Sequence, residues 1–314
     1  MNETIYKLDA LTSPEDPRDF QAEAIFPPMV LPAVYDPRKS LLGVRDQQSQ
    51  GSCVAQATAS IKEIQENRDV SFGEYMSPQF VYNNRYNQEG GGMYPRDSMN
   101  IIYKKGIVPE QEYPYGTIQK PEEISQELLE QAKNYKATGY AYVNTIETAK
   151  AAIYKSGACV ITFAVYTNGN KPWIQPHPDV PVSGGHAMTM IGWNKEGFII
   201  RNSWGKEWGD NGYTIFPYSE WGMQAEVWAL IDDESSKPDP KYSKWYWKAY
   251  RYSINTFSNL NNIKIAAVVS MLLSIGIAII DNVWALVWIP TCILGLGIFS
   301  YIKKLYYAKG EDKK

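Results

Sequence analysis

Residues 47–57 read QQSQGSCVAQA, in which the cysteine Cys53 follows a Gly-Ser pair and precedes small apolar residues. From Cys53 onward, apolar residues recur at spacings of three and four while charged residues occupy the other side. The apolar set is Val54, Ala57, Ile61 and Ile64, and the charged set is Lys62, Glu63, Glu66 and Arg68. This period predicts an amphipathic helix that begins at Cys53. The helix dipole and a neighbouring imidazolium would both lower the pKa of a thiol placed there.

Two further segments supply groups that a reactive thiol needs. His186 lies in SGGHAMTMIGW (183–193) and Asn202 in FIIRNSWGKEWGDNGY (198–213), so they follow Cys53 by 133 and 149 residues. This order and spacing are typical of peptidases that combine a cysteine nucleophile, a histidine base and an orienting amide. A lone cysteine is more often a core residue than a catalytic one. We interpret Cys159, in the apolar run CVITFAV, as such a core residue. The alternative is that Cys159 is a resolving thiol. His177, in QPHPDVP, is predicted to lie in an exposed loop.

Together the three motifs resemble the papain and cathepsin family of cysteine peptidases, from about Leu31 to about Ile231. The segment 31–53 resembles the start of a mature member, and NSWGKEWGDNGY is the most specific match because it joins the amide to a Trp and a Gly-rich turn. The resemblance implies an α+β fold of two lobes. One lobe would be mainly helical and hold Cys53, and the other would be β-barrel-like and hold His186 and Asn202, with the active site in the cleft between them.

The resemblance also implies a role for each motif residue. Cys53 would be the nucleophile, His186 the base and Asn202 the group that orients the imidazole. Gln47 would donate to the oxyanion together with the backbone N–H of Cys53, and Trp204 would shield the His–Asn hydrogen bond from water. No metal or organic cofactor is required.

The glycines of EGGGMYP (89–95) offer a second kind of site. Gly91 and Gly92 resemble the family's glycine pair that binds extended substrate, because only a residue without Cβ lets a peptide backbone come so close. An ordinary flexible loop remains the alternative for this segment. One departure concerns the nucleophile, since Val54, Ala55 and Gln56 stand where the family usually has an aromatic residue. Packing behind the thiol should therefore differ, and pocket preference cannot be carried over.

The periodicity predicts a helical first half and a strand-rich second half. Helices are expected from Cys53 and around the four segments 78–86, 97–105, 121–134 and 146–155. After Gly157 the chain turns to short runs rich in β-branched and aromatic residues, which predict strands. These runs are CVITFAVY, AMTMIGW, FIIRNSW, GYTIF and EVWALI.

Composition shifts divide the chain into five segments: an N-terminal arm (1–30), the peptidase domain (31–232), a linker with an interfacial aromatic and basic segment (233–262), a hydrophobic hairpin (263–304) and a basic tail (305–314). The arm is rich in Pro, Asp and Glu, which predicts an extended strap over the domain or a partly ordered tail. The arm is too short to form the long helical propeptide of larger family members. Its length therefore calls inhibition by a prodomain into question. Its start lacks the features of a signal peptide.

The apolar runs Ile265–Ile280 and Val283–Ile302 predict a transmembrane hairpin, although the first run is at the short limit for spanning. Lysines and arginines flank its outer ends and are missing from its turn, so the positive-inside rule places the peptidase domain on the cytoplasmic side of a membrane. A lipid bilayer is thus a predicted partner through 263–304. The alternative is a buried helical pair inside a larger core.

Charge and cysteine content narrow the choice of partner and of redox compartment. The 314 residues carry a net charge of -3 and no basic aromatic stripe, so nucleic acid is not expected as a partner. Three cysteines are too few for a disulfide framework and fit a reducing compartment. We predict a membrane-anchored cysteine peptidase acting on polypeptides. The alternatives are a membrane-active structural or delivery protein, for example of a virus particle, with a peptidase-like binding domain, or an acyl-transferring transpeptidase.

Overall fold

The computed structural model describes residues 6–70 and 73–232, apart from the side chains of residues 69 and 70. The linker, hairpin and basic tail predicted for 233–314 lie outside the described residues and stay predictions. Within the described part of the chain, no helix has both the length and the apolar character that a bilayer crossing requires.

Five α-helices lie in the described chain: α1 Cys53–Val70, α2 Pro78–Asn83, α3 Pro95–Lys104, α4 Gln126–Ala132 and α5 Ile146–Ser156. Their starts follow local rules, since Pro occupies the first turn of α2 and α3, and the side chains of Ser77, Ser125 and Thr145 cap α2, α4 and α5. The helix predicted over 121–134 is divided. A short 3-10 turn at Pro121–Glu123 precedes α4, because the Ser125 hydroxyl accepts from the Leu128 amide and restarts the helix there.

Six strands form one antiparallel sheet: β1 Gly139–Tyr142, β2 Cys159–Val165, β3 Gly184–Trp193, β4 Gly197–Arg201, β5 Tyr213–Pro217 and β6 Gln224–Ile231. Their spatial order is β1-β6-β2-β3-β4-β5. The predicted α+β class is confirmed, and the lobe expected to be barrel-like is built on this sheet. The five predicted runs correspond to β2–β6, whereas β1 was not predicted because its four residues are too few to show a period.

Apolar side chains bury both faces of the sheet. Val160 and Ile199 belong to a core shared with α1, α2 and α3, while their neighbours Ile161 and Ile200 belong to a second core shared with α5 and the arm residues Ala22 and Phe26. Burial on both faces explains why these strands read as continuous apolar runs without alternation. It also places α1, and therefore Cys53, against β3.

The amphipathic prediction for α1 was wrong, because its charged side is as buried as its apolar side. Lys62, Glu63 and Glu66 are all at most 3% exposed. Lys62 Nζ lies 2.7 Å from carboxylates of both Glu66 and Asp232. Glu63 pairs with Arg45 and lies 3.9 Å from Arg201 on β4. Buried charges are tolerated only when they are paired, so the partners on other elements allow this helix to lie inside the fold.

Candidate active site

His186 and Asn202 are joined by a buried hydrogen bond of 2.7 Å between Nε2 and Oδ1. His186 lies on β3 and Asn202 directly follows β4, and the antiparallel pairing of these strands brings the two side chains together. Asn202 Oδ1 also accepts from the Ser203 backbone amide at 2.8 Å. The Oδ1 atom is thus an acceptor, so Nε2 carries the proton and Nδ1 is the basic nitrogen. Nδ1 has no hydrogen-bond partner among the described residues.

Trp204, the residue for which a shielding role was predicted, lies against this pair. Its ring stacks on the imidazole of His186 with a centroid separation of 4.4 Å, and only 2% of the residue is exposed. Tyr6 of the N-terminal arm stacks in turn on Trp204 at 4.9 Å, and its hydroxyl donates to the Trp204 carbonyl. The shield therefore includes a residue that sequence reasoning did not identify.

Cys53 is the first residue of α1 and is fully buried. Burial raises the pKa of its thiol to about 11, although hydrogen bonds from the backbone amides of Ala187 and Val54 act in the opposite direction; the nearby carboxylate of Asp9 adds a smaller increase than either amide removes. Burial likewise lowers the pKa of His186 to about 4, although the hydrogen bond to Asn202 acts in the opposite direction. Both groups are neutral at pH 7 in this state. The sequence predicted a lowered thiol pKa, and the difference arises from the complete burial of Cys53.

Gln47 is fully buried, and its amide is held in one orientation. The hydroxyl of Ser203 donates to Gln47 Oε1 at 2.7 Å, so Nε2 points away from Ser203. Nε2 donates to the carbonyl of Lys7 at 3.2 Å and to that of Gln50 at 3.1 Å. The atom predicted to stabilise an oxyanion is therefore already bonded to a main-chain carbonyl of the arm. Ser203 was missed at the sequence level, although its place next to Asn202 was a signal.

The arm lies extended between the two lobes. On the strand side, the amide of Gly185 donates to Leu8 O at 3.1 Å and the amide of Ala10 donates to Gly185 O at 2.9 Å. On the helical side, the amide of Met93 donates to Asp9 O at 3.0 Å and the amide of Leu11 donates to Met93 O at 3.0 Å. The sequence called inhibition by a prodomain into question because the arm is too short for the family's helical propeptide. In the structure the arm is not a helical propeptide, but it lies over the site as an extended strand.

The two predicted substrate-binding glycines both contact the arm. A Cβ on Gly92 would lie 2.2 Å from Asp9 O, and its φ of +76° also favours glycine. A Cβ on Gly91 would lie 3.1 Å from Asp9 Oδ2. The adjacent Met93 and the glycine before His186, Gly185, supply the backbone hydrogen bonds and were not predicted. The short Gly-Gly pair in SGGHAM was the available signal.

The remaining candidates lie apart from this site. His177 is exposed in the segment between β2 and β3. Cys159 is buried in β2 as a free thiol, and burial raises its pKa. Across the residues that the structure describes, no group of three or more His, Cys, Asp or Glu side chains is placed to hold a metal ion.

A sequence profile described as "Papain family cysteine protease" matches residues 31–229. The chain belongs to the papain family of cysteine proteases. Among curated proteins, it is 26% identical over 248 residues to an uncharacterized peptidase C1-like protein of Acanthamoeba polyphaga mimivirus, a match covering 68% of this chain and 79% of that protein. It is 27% identical over 208 residues to a cysteine protease of Blomia tropicalis, covering 58% of this chain and 60% of that protein.

Solved structures of papain-family enzymes agree with the fold. Xylellain, a cysteine protease from Xylella fastidiosa, superposes with a TM-score of 0.60 at 27% identity, covering 72% of this chain and 96% of that one. Procathepsin L 3 of the Tenebrio molitor larval midgut superposes with a TM-score of 0.55 at 18% identity, which supports the fold alone. The predicted enzyme class, a papain-like cysteine protease, is confirmed by the family match and these neighbours.

Proposed function

We propose that this papain-family chain hydrolyses peptide bonds with Cys53 as nucleophile and His186 as base. The observation that carries the proposal is the buried hydrogen bond from His186 Nε2 to Asn202 Oδ1. That bond fixes the tautomer in which Nδ1 is free to accept a proton. The stacking of Trp204 on the imidazole restricts the plane of the ring as well.

The reaction follows from these groups. The Cys53 thiol gives its proton to His186 Nδ1 as Sγ attacks the substrate carbonyl carbon. Gln47 Nε2 and the Cys53 amide donate to the oxyanion that forms. The C–N bond then breaks, and His186 returns the proton to the leaving amine. A water molecule, deprotonated by His186, attacks the acyl-enzyme and releases the carboxylic acid and the thiol.

The substrate we propose is an extended polypeptide. Gly185 and Met93 face the cleft with main-chain donors and acceptors, and the arm already pairs with both as an extended strand. Main-chain recognition of this kind is independent of side-chain identity, and the contact at Gly92 requires a close backbone approach. A substrate strand would therefore be held largely by its backbone.

An epoxide inhibitor of thiol peptidases tests this assignment. The full chain is treated at neutral pH, the adduct is located by peptide mass mapping, and cleavage of an unstructured protein is measured in parallel. We expect modification of Cys53 when the arm leaves the cleft, together with inhibitor-sensitive cleavage. Cys159, in the core beneath the sheet, should stay unmodified as an internal control. Cleavage that continues after complete modification of Cys53 would refute the assignment.

We also propose that the hydrophobic segment 263–304 tethers the peptidase to a membrane. Its support is the sequence pattern of two apolar runs with cations at the outer ends, which also favours a cytoplasmic peptidase domain. Flotation of the full chain with phospholipid vesicles tests it, with Leu294→Arg as the disrupting variant and Lys309→Arg as the control. The tether predicts flotation that Leu294→Arg weakens, whereas a chain that stays in the soluble fraction would refute it.

Two further measurements address the two alternative functions. A delivery protein predicts leakage of vesicle contents by a chain whose Cys53 has been blocked. A transpeptidase predicts that an added amine becomes joined to the acyl product, since an amine can resolve an acyl-enzyme in place of water. The hydrolase predicts a free carboxylic acid product and no leakage.

A further inference from the structure

The segment 47–53, which we call the oxyanion turn, carries both groups that the proposed reaction uses to stabilise the oxyanion. Gln47 supplies its side-chain Nε2 at one end, and Cys53 supplies its backbone amide at the other. A donor contributes fully only when it lies about 2.7–3.1 Å from the place where the oxyanion forms. The placement of both donors therefore depends on the conformation of the residues between them.

The oxyanion turn is tightly folded. The Gln50 amide donates to the Gln47 carbonyl at 3.3 Å, and Gln47 Nε2 donates to the Gln50 carbonyl at 3.1 Å. Gln48, between them, has a φ of +53°, in the left-handed region that residues with a side chain rarely adopt. A backbone of this kind persists only where its surroundings hold it. Contacts from outside the turn therefore help to determine where the two donors lie.

The hydroxyl of Tyr115 bonds to both ends of the oxyanion turn. It donates to the Gln47 carbonyl at 2.7 Å and lies 2.9 Å from Ser52 Oγ. Because its one proton points to the carbonyl, the Ser52 hydroxyl is the donor in the second bond. Burial raises the pKa of Tyr115, although the hydrogen bond from Ser52 acts in the opposite direction, so the phenol stays protonated at neutral pH. Since Ser52 directly precedes Cys53, one phenolic oxygen bridges the residues next to both oxyanion donors.

The chain beside Tyr115 is attached to the helical lobe. The amide of Gly116 donates to Gln79 Oε1 at 3.0 Å, and the Gln50 side chain donates to the same oxygen at 3.1 Å. Gln79 lies on α2 and is 2% exposed. One buried amide oxygen thus joins the oxyanion turn to the segment that carries Tyr115, which gives the tyrosine a fixed support.

We propose that Tyr115 is a positioning residue that fixes the two oxyanion donors, Gln47 Nε2 and the Cys53 amide, relative to each other. It touches none of the reacting atoms and acts through these donors. The role rests on the proposed function, because it presupposes that an oxyanion forms beside Cys53.

Two variants of the same segment provide the test. Tyr115→Phe removes the bridging hydroxyl and keeps the ring. Tyr113→Phe is the matched control, because it removes a more deeply buried hydroxyl, which accepts from Asn83 Nδ2 on α2 at 2.8 Å. Cleavage of a peptide by the full chain gives kcat and KM for wild type and both variants.

The affinity for a peptide aldehyde is the second measurement. The Cys53 thiol adds to the aldehyde carbonyl: the S–C bond forms as the C=O π bond opens, and the thiol proton passes through His186 to the oxygen. The hemithioacetal therefore places its oxygen where the oxyanion would form. Alkylation of Cys53 by iodoacetamide controls for access, since Sγ displaces iodide and no oxyanion develops. Alkylation of the buried Cys159 reports global unfolding.

We expect Tyr115→Phe to lower kcat and the aldehyde affinity by about tenfold each, because a misplaced donor loses much of its effect. KM should stay unchanged, since the donors act mainly on the transition state. Alkylation of Cys53 should keep the wild-type rate, and Tyr113→Phe should match wild type in every measurement. In a Gln47→Ala background, the loss caused by Tyr115→Phe should shrink, as is typical of residues that act through one another.

Wild-type aldehyde affinity in Tyr115→Phe would overturn the proposal, as would an equal loss in Tyr113→Phe. A parallel loss of Cys53 alkylation, or alkylation of Cys159, would also overturn it, because either indicates general damage to the site. A chain that shows the expected aldehyde pattern but cleaves no peptide would support the positioning role and refute the hydrolase.

Discussion

The carbonyl oxygen of Lys7 accepts a 3.2 Å hydrogen bond from Nε2 of Gln47. Gln47 is the side chain assigned to the developing oxyanion, so the structure shows this donor bonded to a main-chain carbonyl of the same chain. The structure therefore shows the cleft with the arm bound in it.

Gly92→Ala should separate access to the thiol from use of the cleft. The new methyl group would lie 2.2 Å from Asp9 O and would strain a φ of +76°, so it should displace both the arm and a substrate strand. We expect faster alkylation of Cys53 together with slower cleavage of an unstructured protein. Gly90→Ala is the matched control, because its methyl group would meet only Asn87 at 3.6 Å or more. Equal behaviour of the two variants would contradict the assigned role of Gly92.

Asn202→Ala should lower kcat by about tenfold to a hundredfold, because the His186 Nε2–H then loses its buried acceptor and the ring its orientation. Asn202→Asp keeps an acceptor for that proton and should retain more activity than Asn202→Ala. Steady-state kinetics of both variants and of the wild-type chain provide the measurement. An Asn202→Ala enzyme with unchanged kcat would show that this hydrogen bond does not orient the base.

The pH dependence of stability should carry a contribution from His186. Its pKa of about 4 in the folded chain lies below the ordinary 6.5, so the unfolded chain binds a proton that the folded chain does not bind between these values. The free energy of unfolding should therefore fall as pH decreases from 6.5 to 4, by at most about 3 kcal/mol from this group. Denaturant titrations of wild type and His186→Gln measure the difference. His177→Gln, at an exposed site, should keep the wild-type slope, and a His186→Gln chain that also keeps it would contradict the account.

Glu63→Gln should destabilise the fold by about 3 kcal/mol, because it leaves the buried Arg45 and Arg201 guanidinium groups without their shared carboxylate. Glu130→Gln removes a carboxylate from an exposed pair with Lys133 and should cost less than about 1 kcal/mol. Chemical denaturation of the two variants gives both values. Equal losses would mean that the buried network contributes no more than a surface pair.

The spacing of apolar residues was sufficient to predict most helices and strands. It did not predict which charged residues of α1 are buried. The start of α1 at Cys53 and strands β2–β6 were predicted, because apolar spacing reports burial directly. The charged side of α1 was misjudged, because Lys62 and Glu63 are buried against partners distant in the sequence, Asp232 and Arg201. No local pattern encodes such pairs.

The residues of the candidate site could be proposed from the sequence only where side-chain motifs mark them. Cys53, His186, Asn202 and Gln47 lie in motifs, and the structure brings His186 and Asn202 into contact and turns Gln47 toward the arm. The arm was predicted as an extended strap over the domain or a partly ordered tail, but its place in the cleft was not predicted, because its ladder uses backbone atoms of Asp9 and its neighbours, which leave no mark on residue identity. The arm nevertheless lies beside the nucleophile, since burial and the Asp9 carboxylate are both among the causes that raise the pKa of Cys53.

The most direct test of the central claim is cleavage of an unstructured protein by Cys53→Ala, compared with the wild-type chain and with Cys159→Ala. The account predicts that Cys53→Ala abolishes cleavage while Cys159→Ala leaves cleavage measurable, since Cys159 is a core residue of β2 without a place in the reaction. Undiminished cleavage by Cys53→Ala would contradict the account.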